Sequence, residues 1–333
     1  MSRSRSESLL TLTQSFFQSH LQRTRGASPH TIRAYRDAVK LFFLFLAKQT
    51  RKSVADLNLD DIQSDAVLAF LEHVESHRGN TAATRNCRLA AIRCFVQHLL
   101  RQDMTRAAQY SRVLAIQNKK ATRRAITYLE PEEVQALIGV VDRRSPNGDR
   151  DQALLLVLYN TGARADEAAH LSLEDIKWGT SPAVRLVGKG NRMRWCPIWP
   201  RTADVLKPLV AGRACGEFVF LNRVKEPLTR FGIYAVVRRT VAQASQTLPS
   251  LVAKTISPHC LRHTCAVHLL RSGVDINTIR ALLGHVSLDT THIYAEVDLE
   301  MKAKALALCD LPKETRTRPW HTDAGLMSFL KAL

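Results

Sequence analysis

No apolar run in this 333-residue chain approaches the roughly 20 residues needed to cross a bilayer. The opening Met1-Ser-Arg-Ser-Arg-Ser-Glu-Ser8 does not lead into the apolar core and small-residue cleavage site of a signal peptide. Together these absences create the expectation of a cytoplasmic protein with no membrane role. Cysteine is sparse: seven residues, at 87, 94, 196, 215, 260, 265 and 309, with no Cys-x-x-Cys pair. An odd set without paired spacing argues against a disulfide framework and for reduced thiols. Acidic residues are also short, 30 Asp and Glu against 48 Lys and Arg, leaving a net charge of +18 and a pI near 10.0. That excess calls for a polyanionic partner, either nucleic acid or an acidic membrane surface. What remains is the composition of a soluble globular chain, 45% apolar and 23% charged, of a length that suits two domains.

The charge is uneven. Up to Arg124 there are 21 Lys and Arg against 9 Asp and Glu, so this stretch holds +12 of the +18. Its apolar residues recur at helical spacing in four runs. Leu9, Leu12, Phe16 and Phe17 form the first. After a Ser28-Pro29 start come Ile32, Tyr35, Val39, Phe42, Phe43 and Leu46. Ile62, Val67, Leu68, Leu71 and Val74 form the third, and Leu89, Ile92, Phe95, Val96 and Leu99 the fourth. Four helices with short connections make a bundle over 1–115. Arg85 and Arg88, with their neighbours Arg93 and Arg101, fall off the apolar stripe of the fourth run and are candidates for contact with an anion. A linker follows over 116–126. Its Gln117-Asn-Lys-Lys-Ala-Thr-Arg-Arg124 has no apolar period, so Lys119, Lys120, Arg123 and Arg124 read as phosphate contacts, which position without reading sequence.

The rest of the chain reads as more helices around one hairpin. Ala153-Leu-Leu-Leu-Val-Leu158 is strongly apolar and runs into Gly162, which supplies the backbone angle that closes a helix, before Arg164 and Glu167. Ala183 to Ile198 is two short strands around Gly188-Lys-Gly-Asn191, with Lys189 at the tip and Arg192 and Arg194 behind it as candidate contacts to a nucleic-acid groove. No helix follows this Gly-x-Gly, so it is not a nucleotide-binding loop. Helices are predicted around 201–210 and 228–244. Ser257-Pro258 starts another, with His259, Arg262, His263 and Ala266 at i, i+3, i+4 and i+7 on one face. Asp275 caps the next, and Gly284 closes it just before His285; nine residues later comes Tyr294.

A phenol with its ordinary pKa near 10 is a poor nucleophile until cations favour the phenolate. Tyr294 set among arginines and histidines has what attack on a phosphodiester needs. Arg164, Arg262 and His285 would meet the charge that builds on the non-bridging oxygens. Lys189 would protonate the departing sugar oxygen, and His259 would handle the tyrosine proton. His259, Cys260, His263, Cys265 and His268 are metal-type residues, but the thiols lie off the His259 and His263 face and no fourth ligand stands at zinc spacing, so no metal is assigned.

Thr161-Gly-Ala-Arg-Ala-Asp-Glu167, the hairpin Lys189, His259-Cys-Leu-Arg-His263 and Leu283-Gly-His-x-Ser followed by Thr290-Thr-x-x-Tyr294 occur in that order. Together they resemble the tyrosine site-specific recombinases, the phage-integrase and Xer-like family. Ser28-Pro-His-Thr-Ile-Arg-Ala-Tyr35 is similar to that family's helical core-binding module. The resemblance implies a mainly α fold: a four-helix, SAM-like core-binding domain, then an α+β catalytic domain over 127–312 with a small β-hairpin. It implies Arg164, Lys189, His259, Arg262, His285 and the nucleophile Tyr294 as the active site, with Glu167 and His263 in support. It implies no cofactor, a 3′-phosphotyrosine intermediate that needs no ATP, and double-stranded DNA as substrate. It implies a homotetramer on two DNA sites, and it admits partner recombinases. Ala163 and Asp166 depart from the larger apolar residue and the serine common at those places, which puts the arrangement around Arg164 in question. In the tail, 313–333, Leu326, Phe329, Leu330 and Leu333 share a helical face that would dock on a neighbouring subunit or on its own domain. A type IB topoisomerase and a binding-only member of the family are the competing readings. A metal-dependent transposase would need a carboxylate cluster that Asp166 and Glu167 do not make.

Overall fold

The computed structural model describes residues 8–121, 126–188 and 190–284. Lys189, His285, Tyr294, Arg123, Arg124 and the 313–333 tail lie outside these described residues. The chain divides into two units, Met1–Arg124 and Ala125–Leu333.

The first unit is helical. Helix α1 (Leu9–Ser15) starts where the Ser8 side chain accepts from the Thr11 N–H, and it widens into π-helical turns over Phe16–Thr24. Ser28 caps α2 (Pro29–Thr50) by accepting from Thr31 N–H at 3.2 Å, with Pro29 in the first turn as the sequence predicts. Helices α3 (Ser64–Ser76), α4 (Ala82–Gln102) and α5 (Ala107–Leu114) complete it. Phenylalanines meet edge to face in the core: Phe16 with Phe95 at 5.2 Å and Phe42 with Phe70 at 5.3 Å. The structure differs from the sequence expectation in two places. Leu68 is 46% exposed while Phe70 is buried, because Val67, Phe70, Leu71 and Val74 at i, i+3, i+4 and i+7 form the stripe and Leu68 falls beside it. The fifth helix, α5, buries Tyr110 and Val113 with Leu114 partly covered beside them, too little for a periodic signal.

The second unit is a helical layer with one small sheet. Helix α6 (Pro131–Gly139) opens with a capping box in which Glu130 N–H donates to Glu133 Oε2 at 2.8 Å. Helix α7 (Gly148–Thr161) is buried along most of its length and packs against α9 (Pro200–Val210) and α11 (Pro258–Arg271). The short α8 (Ala165–Ala169) follows α7, and α10 (Arg230–Ala244) and α12 (Ile276–Leu283) complete the helices. The sheet is antiparallel in the order β1 (Ile176–Lys177), β2 (Ala183–Val187), β3 (Met193–Pro197). The hairpin is the predicted one; β1, two residues long, adds a strand that no alternation could reveal. Val184, Leu186 and Cys196 face the core while Met193 and Trp195 face outward. No helix among the described residues is long and apolar enough to cross a membrane.

Candidate active site

The site begins with a turn that only glycine permits. Gly162 ends α7 in the left-handed region at φ +59°, and a Cβ there would lie 2.3 Å from Leu283 Cδ2. The turn delivers Arg164 to the start of α8, where its backbone N–H donates to Glu167 Oε2 at 2.9 Å and its Nη1 to Oε1 at 2.6 Å. One carboxylate therefore holds both ends of Arg164, whose side chain stays 38% exposed. Burial alone would raise the pKa of Glu167, but its bonds to Arg194 and Arg164 outweigh that and hold it ionised, below the ordinary carboxylate value. The two unusual residues of this segment sit differently. Ala163 is fully buried, and Asp166 is an exposed wall of the pocket beside Arg164.

Helix α11 brings the second arginine. Ser257 accepts from Cys260 N–H at 3.4 Å to cap it, and Pro258 occupies its first turn. Arg262, fully buried, reaches across the interior: Nη1 donates to Gly162 O at 2.6 Å and Nη2 to Leu283 O at 2.7 Å. It thus ties the turn before Arg164 to the end of α12, two residues before His285. On the same helix His259 and His263 stack edge to face at 4.4 Å. Loss of hydration, then Arg262 and Arg164, lower the His259 pKa below its ordinary 6.5. Loss of hydration, then His259 and Arg262, push His263 down to about 4. Burial and the neighbouring cations thus favour the neutral imidazole, the form of His259 that accepts a proton.

The hairpin supplies the third limb. Gly188 N–H donates to Arg192 O at 2.8 Å, closing the loop that carries Lys189. Arg192 is exposed. Arg194 is not: Nη1 and Nη2 donate to Glu167 Oε1 and Oε2 at 3.1 and 2.7 Å, and Nε donates to Leu282 O at 2.7 Å. Its guanidinium faces the protein interior, which corrects the expectation of a DNA contact at Arg194.

Beside Arg164 and His259 lies an open pocket of about 610 Å³ whose other wall is α10, through Arg230, Phe231, Tyr234 and Arg238. Phe231 is 70% exposed, with the Arg230 guanidinium 4.7 Å from its ring centre. Sequence reasoning passed over these residues. The signal was there: Arg230, Tyr234 and Arg238 recur at i, i+4 and i+8, beside the stripe of the buried Ile233, Val236 and Val237.

The model of the Phage integrase family matches residues 127–301, and that of the phage integrase N-terminal SAM-like domain matches 15–103. The chain is a tyrosine recombinase of the phage integrase family. It is 37% identical to integrase/recombinase y4rC of Sinorhizobium fredii over 328 residues, 98% of each chain. To tyrosine recombinase XerC of Bacillus subtilis it is 31% identical over 294 residues, 86% of this chain and 91% of the other. The fold is also that of XerH site-specific recombinase bound to palindromic difH substrate, with a TM-score of 0.68 at 21% identity over 88% of this chain and 84% of the other. The recombinase is a DNA breaking-and-rejoining enzyme of the site-specific type, mostly helical with a small antiparallel sheet and with a SAM-like domain before its catalytic domain.

Among the sequence-predicted site residues, the structure brings Arg164, Glu167, His259, Arg262, His263 and Arg194 together. Of the DNA-binding candidates of the first unit, Arg85 and Lys119 converge on Glu75. Arg85 is buried against Glu75 at 3.7 Å and donates to Asn86 Oδ1 at 3.1 Å. Arg88 is half-buried. Lys119 and Lys120 are exposed, but the chain at Lys119 is pinned to α4 by a reciprocal pair with Asn86, at 2.7 and 3.0 Å, and the Lys119 ammonium meets Glu75 at 3.1 Å.

Proposed function

We propose that the recombinase cuts one strand of a duplex with Tyr294, through Arg164, Lys189, His259, Arg262 and His285. The observation that supports this most is Arg262, which holds the turn before Arg164 and the end of α12 before His285 to one buried guanidinium. The phenol oxygen of Tyr294 bonds to phosphorus as the bond to the 5′ oxygen breaks. His259 accepts the phenol proton and Lys189 donates one to the leaving 5′ oxygen. Arg164, Arg262 and His285 stabilise the charge on the non-bridging oxygens. The product is a 3′-phosphotyrosine and a free 5′ hydroxyl, and the phosphodiester energy is kept for rejoining. Glu167 and His263 hold Arg164 and His259 in place. No metal ion or other cofactor enters this scheme.

The aromatic and basic wall of α10 and the exposed Arg192 extend the site toward DNA. In this reading Lys120, Arg123 and Arg124 lie along phosphates, with Arg88 and Lys119 weaker contributors and Arg85 a structural residue. The chain is organised as a core-binding domain over 1–115, a linker over 116–126, a catalytic domain over 127–312 and a tail over 313–333. It acts in the cytoplasm as a homotetramer on two DNA sites, with or without partner recombinases. Its task is integration, excision or transposition of a mobile element, or resolution of DNA.

A nicked suicide duplex carrying the candidate site tests the chemistry. Wild type should form a covalent adduct that survives EDTA, and Tyr294→Phe should form none. Equal adduct in the variant would remove Tyr294 from its role. Absence of adduct in both, at a site shown to be bound, would favour the binding-only reading. Relaxation of supercoiled plasmid lacking the site would favour the topoisomerase.

A further inference from the structure

Three segments of the catalytic unit meet at one ion pair whose arginine the chemistry above does not use. The pair is Glu167 with Arg194, both carboxylate oxygens engaged at 3.1 and 2.7 Å, with side chains 3% and 10% exposed. Arg164 binds the same carboxylate through Nη1 at 2.6 Å. Gly188, the neighbour of Lys189, lies so close that a Cβ there would stand 3.0 Å from Glu167 Oε1 and 3.7 Å from Arg194 Nη1. Arg194 Nε holds Leu282 O at 2.7 Å, and a Cβ at Gly284, the neighbour of His285, would stand 3.1 Å from Arg194 Cδ and Nη1. The residues next to Lys189 and His285, and Arg164 itself, therefore all rest on one guanidinium–carboxylate unit.

We propose that Arg194 is a positioning residue, which through Glu167 and Leu282 keeps Arg164, the Lys189 hairpin and the chain entering His285 in one geometry. The claim rests on the assignment of those three residues to the reaction. Arginine suits the task because its fork serves two carboxylate oxygens while Nε reaches a third acceptor. A lysine there keeps the charge but has one nitrogen for three partners. The arrangement also links the finger to the site: a displacement of β3 that moves Arg194 moves the support of Arg164 and of α12 together.

The test uses the full chain with Arg194→Lys, measuring DNA affinity by gel shift and single-turnover adduct formation on the nicked duplex. Affinity should stay within about threefold of wild type while cleavage slows about 100-fold, the scale of an ångström-sized misplacement. The slowing should also fail to multiply in full with that of Lys189→Ala or His285→Ala, because those residues act through the geometry Arg194 maintains. Cleavage within about threefold of wild type, full multiplication with both, or a defect confined to affinity would each overturn the proposal. Hydrogen exchange supplies a readout independent of cleavage: Arg280–Gly284 should exchange faster in Arg194→Lys, and unchanged protection overturns the claim. Absence of adduct in wild type sinks the catalytic assignment instead, leaving the exchange result to decide the tether. If Arg194→Lys does not fold, Gly188→Ala presses on the same carboxylate from the hairpin side. It should slow cleavage about tenfold at unchanged affinity, and wild-type cleavage there would contradict the proposal.

Discussion

The two units of the recombinase handle charge in opposite ways. In the first, the core is phenylalanine and aliphatic packing, and of its many Lys and Arg side chains only Arg85 is counted among the buried residues described. In the second, Arg262 is the largest fully buried side chain among the described residues, and Glu167 and Arg194 form an ion pair almost closed to solvent. Burying ions is costly unless each finds partners, and here the partners are a carboxylate and backbone carbonyls at chain turns. The difference teaches what each interior is for: the first unit needs a stable shape to present charge, and the second needs particular distances between charges.

Exchanging effects between the two units tests this contrast. The largest change is expected at Arg262. Arg262→Ala leaves the carbonyls of Gly162 and Leu283 without their donor, at about 1–3 kcal/mol each, and should abolish adduct formation as well. Arg164→Ala should slow cleavage by about 100- to 1000-fold with a much smaller change in melting, since its side chain is part-exposed. Equal loss of stability in the two would break the distinction between the buried and the accessible arginine. In the first unit, Phe95→Ala should cost about 3–5 kcal/mol by chemical denaturation, yet leave the cleavage rate of bound, folded protein near wild type. A specific cleavage defect there would show that this core also sets distances.

Acid should weaken the second unit through His263. Its folded-state pKa, about 4, lies below the ordinary 6.5, so the unfolded chain binds the extra proton first. The contribution is present in full above pH 6.5 and is lost as pH falls toward 4. Melting of wild type should drop across that window by more than melting of His263→Gln; parallel curves would contradict the assignment. The smallest effect belongs to the linker. Lys120→Ala should weaken DNA binding a few-fold and lower the salt slope by about one. Lys119→Ala should do less, because Glu75 already neutralises its ammonium. A larger loss at Lys119 would reverse that order.

Much of this was legible in the residues. Ser28-Pro29, Ser257-Pro258, Gly162 and Gly284 each fix a backbone event locally, and each marks a boundary where the spacing put it. The order of the polar boxes led to the family, and the structure brings Arg164, His259 and Arg262 together. What escaped depended on neighbours. Helix α5 and strand β1 are too short to carry a period and exist because α3, α4 and β2 receive them. Arg194 read as a DNA contact because arginine on a hairpin invites that reading. Strand alternation was the better guide, since Arg194 shares its face with the buried Cys196 and pairs across the sheet with buried Leu186. Arg85 misled likewise: its carboxylate partner Glu75 lies on a different helix, α3.

We propose above that buried charges assemble a site whose nucleophile is Tyr294. The most direct measurement is mass spectrometry of the covalent adduct after nuclease and protease digestion. A nucleotide phosphate is expected on the peptide containing Tyr294 and on no other peptide. A phosphate carried by a different residue, from wild type on a site it cuts, would contradict the proposal.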